Sequence, residues 1–164
     1  MKAIGYITPG AIDRAGALQD IDLPRPSPGP HDLLVKVAAI SVNPVDTKVR
    51  RAVAPEAGQW KVLGWDAVGL VEAMGDAVTG FSPGDRVWYA GSILRPGANA
   101  EYHLVDARIA AHAPQRLSDA EAAALPLTAI TAWEMLFDRL EVARPVPGAA
   151  PAVLVIGGAG GVSS

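Results

Sequence analysis

The sequence predicts a mainly β protein: a small barrel of short strands, followed by helices and the first strand of a truncated α/β unit. Three observations predict it. Short apolar runs recur from residue 2 to residue 112, separated by many of the chain's 17 glycines and 14 prolines, a spacing that suits a closed barrel better than an open sheet. Beyond residue 115 the apolar period becomes helical. At 152–156 an apolar run, Ala-Val-Leu-Val-Ile, leads directly into a glycine-rich turn.

Residues 2–7 open with a strand, and 17–23 form a second, with Leu18 and Ile21 among polar neighbours. Residues 24–30 hold four prolines and a glycine in seven positions, which marks a connector. Residues 33–42 are the longest strand candidate. Their apolar residues fall on both faces, so burial on both sides is expected. Strands at 66–73, 86–90, 100–105 and 109–112 complete the set. Ser118-Asp119-Ala120-Glu121 is a capping box, with serine at the N-cap and glutamate three residues on. The helix behind it runs to Pro126, and a second covers about 128–140. There Ile130, Trp133, Phe137 and Leu140 recur along one face. The change of period near 115 divides the chain into a β domain, 1–115, and the start of a second domain, 116–164. No internal repeat is present.

Composition narrows the function classes. Half of the 164 residues are hydrophobic, which excludes a disordered chain, and the net charge of −3 with no basic run argues against nucleic acid or an anionic membrane. There is no cysteine, hence no disulfide and no thiolate metal site. The N-terminus enters strand-like sequence with no signal-peptide core, and no apolar stretch reaches membrane-spanning length. A cytoplasmic protein is expected.

The run 157–163, Gly-Gly-Ala-Gly-Gly-Val-Ser, is the chemical signature in the tail. A strand entering such a turn opens a nucleotide-binding βαβ unit: the glycines admit a pyrophosphate, and the next helix offers its N-terminal N–H groups. Gly158, Gly160, Gly161 and Val162 are the expected cofactor-binding residues. Ser163 stands where the third glycine of the G-x-G-x-x-G pattern belongs. The sequence ends before the helix, the later strands and the acidic residue that would hold the ribose. The expectation is a truncated cofactor domain that is inactive alone.

Several segments, in order along nearly the whole chain, resemble the medium-chain dehydrogenase/reductase superfamily. They are Ser41-Val42-Asn43-Pro44-Val45-Asp46-Thr47, Gly64-Trp65-Asp66-Ala67-Val68-Gly69 with Gly75 and Val78, Pro83-Gly84-Asp85-Arg86-Val87, Gly97-Ala98-Asn99-Ala100-Glu101-Tyr102, Leu125-Pro126-Leu127-Thr128-Ala129-Ile130-Thr131-Ala132, and the glycine turn. The branch they are most similar to is the quinone-oxidoreductase group, also labelled zinc-type alcohol dehydrogenase-like. The resemblance implies a GroES-like barrel followed by a Rossmann domain, in a parent enzyme that is homodimeric.

The resemblance also frames the chemistry. Zinc-dependent members hold the metal with a cysteine in the first motif, a Gly-His-Glu segment and a later ligand. Those positions here are Asn43, Trp65 and a site near Leu127, so no zinc is expected. His31, His103 and His112 read as scattered packing or surface residues. Without a metal to polarise a simple carbonyl, the acceptor is expected to be activated: a quinone or an α,β-unsaturated carbonyl, reduced by NADPH, with NADH open. Asn43 and Thr131 are the implied catalytic and nicotinamide-facing residues, each with a purely structural alternative: a residue held extended before proline for Asn43, a helix back-bond for Thr131. Trp65 and Tyr89 are assigned to an acceptor pocket, with core packing as the alternative. Lys48 stands where close relatives carry a tyrosine and reads as solvated. Asp66 replaces a family glutamate and reads as a support for a turn or an arginine. Two other readings remain at this point: a GroES-like binding or co-chaperone module, and a non-functional remnant.

Overall fold

The structure, a computed structural model, describes residues 1–144, 147–148 and 152–162. Among the described residues, eight strands form two antiparallel sheets. β1 (Lys2–Tyr6) pairs with β2 (Gln19–Asp22) on one side and β4 (Lys61–Val62) on the other, giving the order β2-β1-β4. The larger sheet runs β7-β3-β5-β6-β8, built from β3 (Asp32–Ser41), β5 (Asp66–Met74), β6 (Arg86–Ala90), β7 (Tyr102–Asp106) and β8 (Ala110–His112). An isolated bridge between Ala3 and Ala100 and the bond from Ile4 N to Asn99 O join the two sheets. Mainly β organisation is thus what the alternating short runs produce.

β5 shows why the long apolar strands are central. Ala67 and Val71 face a core with Leu33, Val35, Val87 and Val105. Val68 faces the other way, onto Ala122 and Ala123 of α2 (Asp119–Ala123). The strand is therefore buried on both faces, and α2 is held to the outside of the sheet. α2 begins at the capping box: Ser118 Oγ accepts from Glu121 N, and the Glu121 carboxylate accepts from Ser118 N.

Three elements lie outside the sequence reading, one of them a single 3-10 turn at Ala107–Ile109. α1 (Pro44–Ala52) starts at Asn43, whose extended backbone (φ −119°, ψ 161°) is what Pro44 imposes on the residue before it. β4 has two residues and is too short for any periodicity.

At one glycine the fold depends on a missing side chain. A Cβ at Gly75 would collide with the carbonyl oxygens of Gly29 and Pro30, so only glycine lets the end of β5 pass under the proline-rich connector.

The tail differs from expectation in two ways. The second helix starts at Pro126 (α3, Pro126–Trp133) and widens into a π-helical stretch at Glu134–Arg139. The strand expected at 152–156 does not form: no ladder reaches these residues, and 156–162 turns. Extended backbone becomes a strand only with a neighbour to accept and donate its hydrogen bonds, and the described residues supply none.

Candidate active site

The end of β3, the start of α1, the start of β5 and the start of α3 meet around one side chain, Asn43. Three local facts hold it. Pro44 occupies the first helical position and sets the entry angle of α1. Asp46, three residues on, accepts from Asn43 N at 2.8 Å and from Gly64 N at 2.9 Å. Its carboxylate thus satisfies the helix start and anchors the loop before β5. Finally, Asp66 accepts from Asn43 Nδ2 at 2.8 Å through one oxygen and from Leu127 N at 2.9 Å through the other.

Asp66 is fully buried and Asn43 is 8% exposed. Burial is the main influence on Asp66 and pushes its carboxyl above the usual range; the bonds from Asn43 and Leu127 pull it back, and the charge of Asp46 adds to the rise. No arginine pairs with Asp66 among the described residues. Its work is to tie Asn43 to the N-terminus of α3.

A cleft of about 840 Å³ opens beside this network, lined by Asn43, Lys48, Leu127, Thr131, Gly161 and Val162 among others. The structure therefore brings together two of the residues singled out from the motifs, Asn43 and Thr131, with the last part of the glycine turn. Gly158 and Gly160 belong to the same turn, closed by Gly160 N on Gly157 O at 2.8 Å, but do not line the cleft. Gly157 takes a left-handed conformation (φ 74°) that admits little besides glycine. Thr131 donates its hydroxyl to Leu127 O at 2.8 Å, a helix back-bond that leaves the oxygen free to accept from a ligand. Lys48 is exposed and is the one charged side chain among the lining residues.

Trp65 and Tyr89, expected in an acceptor pocket with core packing as the alternative, pack into the core. Neither lines this cleft. Trp65, 1% exposed, packs with Tyr6, Val49 and Leu63, and its indole N–H donates to Ser92 O at 2.9 Å. Tyr89 lies in the main core and bonds His103 Nδ1 at 2.9 Å. Both rings fill the barrel because their volume is worth more there than at a half-wet rim.

His103 completes that buried pair. Its Nε2 meets Pro96 O at 3.0 Å. A carbonyl only accepts, so Nε2 carries the proton and Nδ1 accepts from the Tyr89 hydroxyl. Burial pushes the imidazole down to about 4. His112 sits on β8, near Phe81 and within 3.1 Å of Gly80 O.

The zinc positions can be tested on the donors present. Asn43 has its amide nitrogen committed to Asp66, Trp65 offers an indole that cannot ligate, and Leu127 is aliphatic. Among the described residues no three His, Cys, Asp or Glu side chains converge. The donor set does not fit catalytic zinc, which needs about three N, S or O ligands and an open position.

Residues 29–115, more than half of the chain, match the alcohol dehydrogenase GroES-like domain, and the chain belongs to that family, within the medium-chain dehydrogenase/reductase superfamily. It is 48% identical over 165 residues to the zinc-type alcohol dehydrogenase-like protein of Staphylococcus aureus strain COL, covering all of this chain and 49% of that one. A solved Rhizobium etli CFN 42 structure, provisionally named a zinc-dependent alcohol dehydrogenase, superposes with a TM-score of 0.95 at 62% identity, over 99% of this chain and 47% of that one. Escherichia coli quinone oxidoreductase complexed with NADPH superposes with a TM-score of 0.73 at 30% identity, over 83% of this chain and 40% of that one. The chain thus spans about half the length of the curated relatives it matches. No described helix is long and apolar enough to cross a membrane.

Proposed function

We propose that the complete protein is a zinc-independent oxidoreductase that uses NADPH to reduce quinones or α,β-unsaturated carbonyls, and that this chain supplies the side of the cleft facing the nicotinamide. The observation that carries the reading is Asn43: a nearly buried amide on the cleft wall, held by a buried carboxylate, at a position where zinc-dependent relatives of the superfamily need a thiolate. The likeness to a quinone oxidoreductase that binds NADPH supports the cofactor and the acceptor class.

NADPH, when bound, supplies the hydride. The remaining chemistry falls to this chain. Val42, Leu125 and Leu127 line the cleft with apolar surface that keeps water from the reacting atoms. One hydrogen of Asn43 Nδ2 is committed to Asp66; the other is free to donate to a carbonyl oxygen of cofactor or acceptor. Such a neutral donor, already oriented, stabilises the negative charge that grows on the acceptor oxygen. The Thr131 oxygen is placed to accept from an amide such as the nicotinamide carboxamide. Backbone groups of Gly161 and Val162 close the far side.

The test is steady-state oxidation of NADPH by the complete protein with a benzoquinone or an alkyl vinyl ketone, before and after dialysis against chelator. Turnover survives metal removal, ethanol is not oxidised with NADP, and Asn43→Ala lowers kcat/KM about tenfold or more. Activity that disappears with chelator and returns with zinc defeats the proposal.

A further inference from the structure

We infer that Asp66 is a positioning residue: its buried carboxylate dictates which edge of the Asn43 amide meets the cleft and locks that edge to the start of α3. The inference rests on the proposed reaction for its kinetic consequence and on geometry alone for its structural one.

An asparagine amide has two edges of nearly equal shape and opposite polarity. Which edge faces a ligand is decided by its fixed neighbours. Asp66 is such a neighbour. Both of its oxygens accept, one from Asn43 Nδ2 and the other from Leu127 N, so the nitrogen of Asn43 faces it. Leu127 N is a backbone donor that cannot reverse. Complete burial of Asp66 removes the water that would otherwise let the amide turn over. Among the described residues, the groups around Asp66 include no cation paired with it. Its ladder partners are Ser41 on β3 and Ala90 on β6, α3 presents Leu127 N, and Asp46 on α1 adds only a like charge. Burying a carboxylate without a cation is costly. Asp46 and Asn43 are buried beside it, and Asp66 is the member of this group that bonds the Asn43 side chain.

Substitution separates orientation from stability. In Asp66→Asn the new amide has one acceptor and one donor. Leu127 N takes the acceptor, and the donor confronts Asn43, which must turn over. The polarity facing the cleft is then reversed. The exchanged pair, Asn43→Asp with Asp66→Asn, restores every bond: the carboxylate introduced at position 43 accepts from the amide introduced at position 66, whose oxygen still accepts from Leu127 N. It places a carboxylate on the cleft wall.

The experiment measures melting temperature, kcat and KM of the complete protein in both variants, with the side-chain amide spectrum of asparagine-labelled protein. Asn43 and Asn99 are the two asparagines in this chain. Asp66→Asn lowers kcat at least tenfold with KM changed less than threefold. The exchanged pair regains most of the lost melting temperature and none of the kcat. In the wild type one Asn43 amide proton is shifted far downfield and exchanges slowly, and Asp66→Asn abolishes both features. Recovery of kcat together with melting temperature in the exchanged pair overturns the inference, as does an unchanged Asn43 amide signal in Asp66→Asn. Wild-type turnover is measured first: if no quinone or enone is reduced, the proposed reaction falls, and the amide spectrum decides the role of Asp66 by itself.

Discussion

Two tryptophans of this chain have opposite fates. Trp65, before β5, is 1% exposed and packed against Tyr6, Val49 and Leu63, whereas Trp133, at the end of α3, is 63% exposed and touches mainly Phe137, ring centroids 4.5 Å apart. The contrast extends to the regions around them. Up to α2 the buried apolar residues gather in three core clusters, although Ile4, Ile40, Leu70 and Met74 of the strands stay exposed. Beyond Pro126, Ile130, Phe137, Leu140, Leu154 and Ile156 remain on the surface, the last two 86% and 88% exposed. Both regions are apolar in sequence, so composition does not separate them. What separates them is whether a second layer is present to cover the apolar face. The barrel brings its own; the tail has none among the described residues, and its apolar surface is of the kind that marks an interface.

Replacing each tryptophan tests this most severely. Trp65→Ala removes a filled volume and one of the two donors to the Ser92 carbonyl, which keeps Arg95 N; a cost of about 3–5 kcal/mol is expected. Trp133→Ala removes little buried area, and a change within about 0.5 kcal/mol is expected. Urea unfolding of the 164-residue chain, followed by far-ultraviolet circular dichroism, measures both. A Trp133→Ala cost comparable to that of Trp65→Ala would show that the tail has found a partner surface.

Acid titration sharpens the comparison at one residue. His103 is held neutral by burial, its value about 4 in the fold against about 6.5 in an unfolded chain. Between these values the unfolded chain binds the proton and the fold does not. The contribution is therefore fully present above about pH 6.5 and is lost as pH falls toward 4, a difference on the order of 3 kcal/mol. Residues beyond 112 contain no histidine, so this loss belongs to the barrel. His103→Gln, which cannot titrate, is expected to be less stable at neutral pH and flatter between pH 6.5 and 4.5. Parallel urea-midpoint curves for variant and wild type would remove His103 as the cause.

The same distinction governs what could be read before the structure was known. Strands that pair with close neighbours, such as residues 86–90, were legible with their bounds because alternation and flanking glycines are local signals. α1 was missed although its signals are present: Asn43 as N-cap, Pro44 at the first helical position, Asp46 two residues later, Val45 and Val49 one turn apart. Asn43 and Pro44 were weighed for a site role and for extended backbone before proline, not as a helix start. The strand at 152–156 was expected from local pattern, yet a strand is a property of two segments. At the site, motif order pointed to Asn43 and Thr131, and both line the cleft. The bond between Asn43 and Asp66 was not foreseeable, because it joins residues 23 apart through a loop whose path no local pattern specifies. Trp65 and Tyr89 were placed in a pocket by aromatic character; a buried ring and a rim ring have the same letter.

Ion pairs give the smallest contrast. Asp32 receives both terminal nitrogens of Arg95, at 2.8 and 3.0 Å, and Gly29 N at 3.2 Å, with its own side chain 15% exposed. The pair fastens the start of β3 to the 92–97 loop, and the guanidinium of Arg95 holds the Asp32 carboxyl below the usual range. Glu141 and Arg144 form an equally short pair at 2.8 Å, but both side chains are exposed and they lie only three positions apart in sequence. Length alone predicts equal worth. Restriction does not: the first pair joins two elements whose positions the core has already set, whereas the second must order two mobile side chains for one contact in high dielectric. Asp32→Asn is expected to cost about 1 kcal/mol at pH 7. Because the folded value lies below the unfolded one, this cost should shrink as pH falls below about 4. Glu141→Gln is expected to cost less than about 0.3 kcal/mol at any pH. Equal losses for the two substitutions, read from urea midpoints at pH 7 and pH 3.5, would mean that the 141–144 turn is coupled to the barrel and unfolds with it.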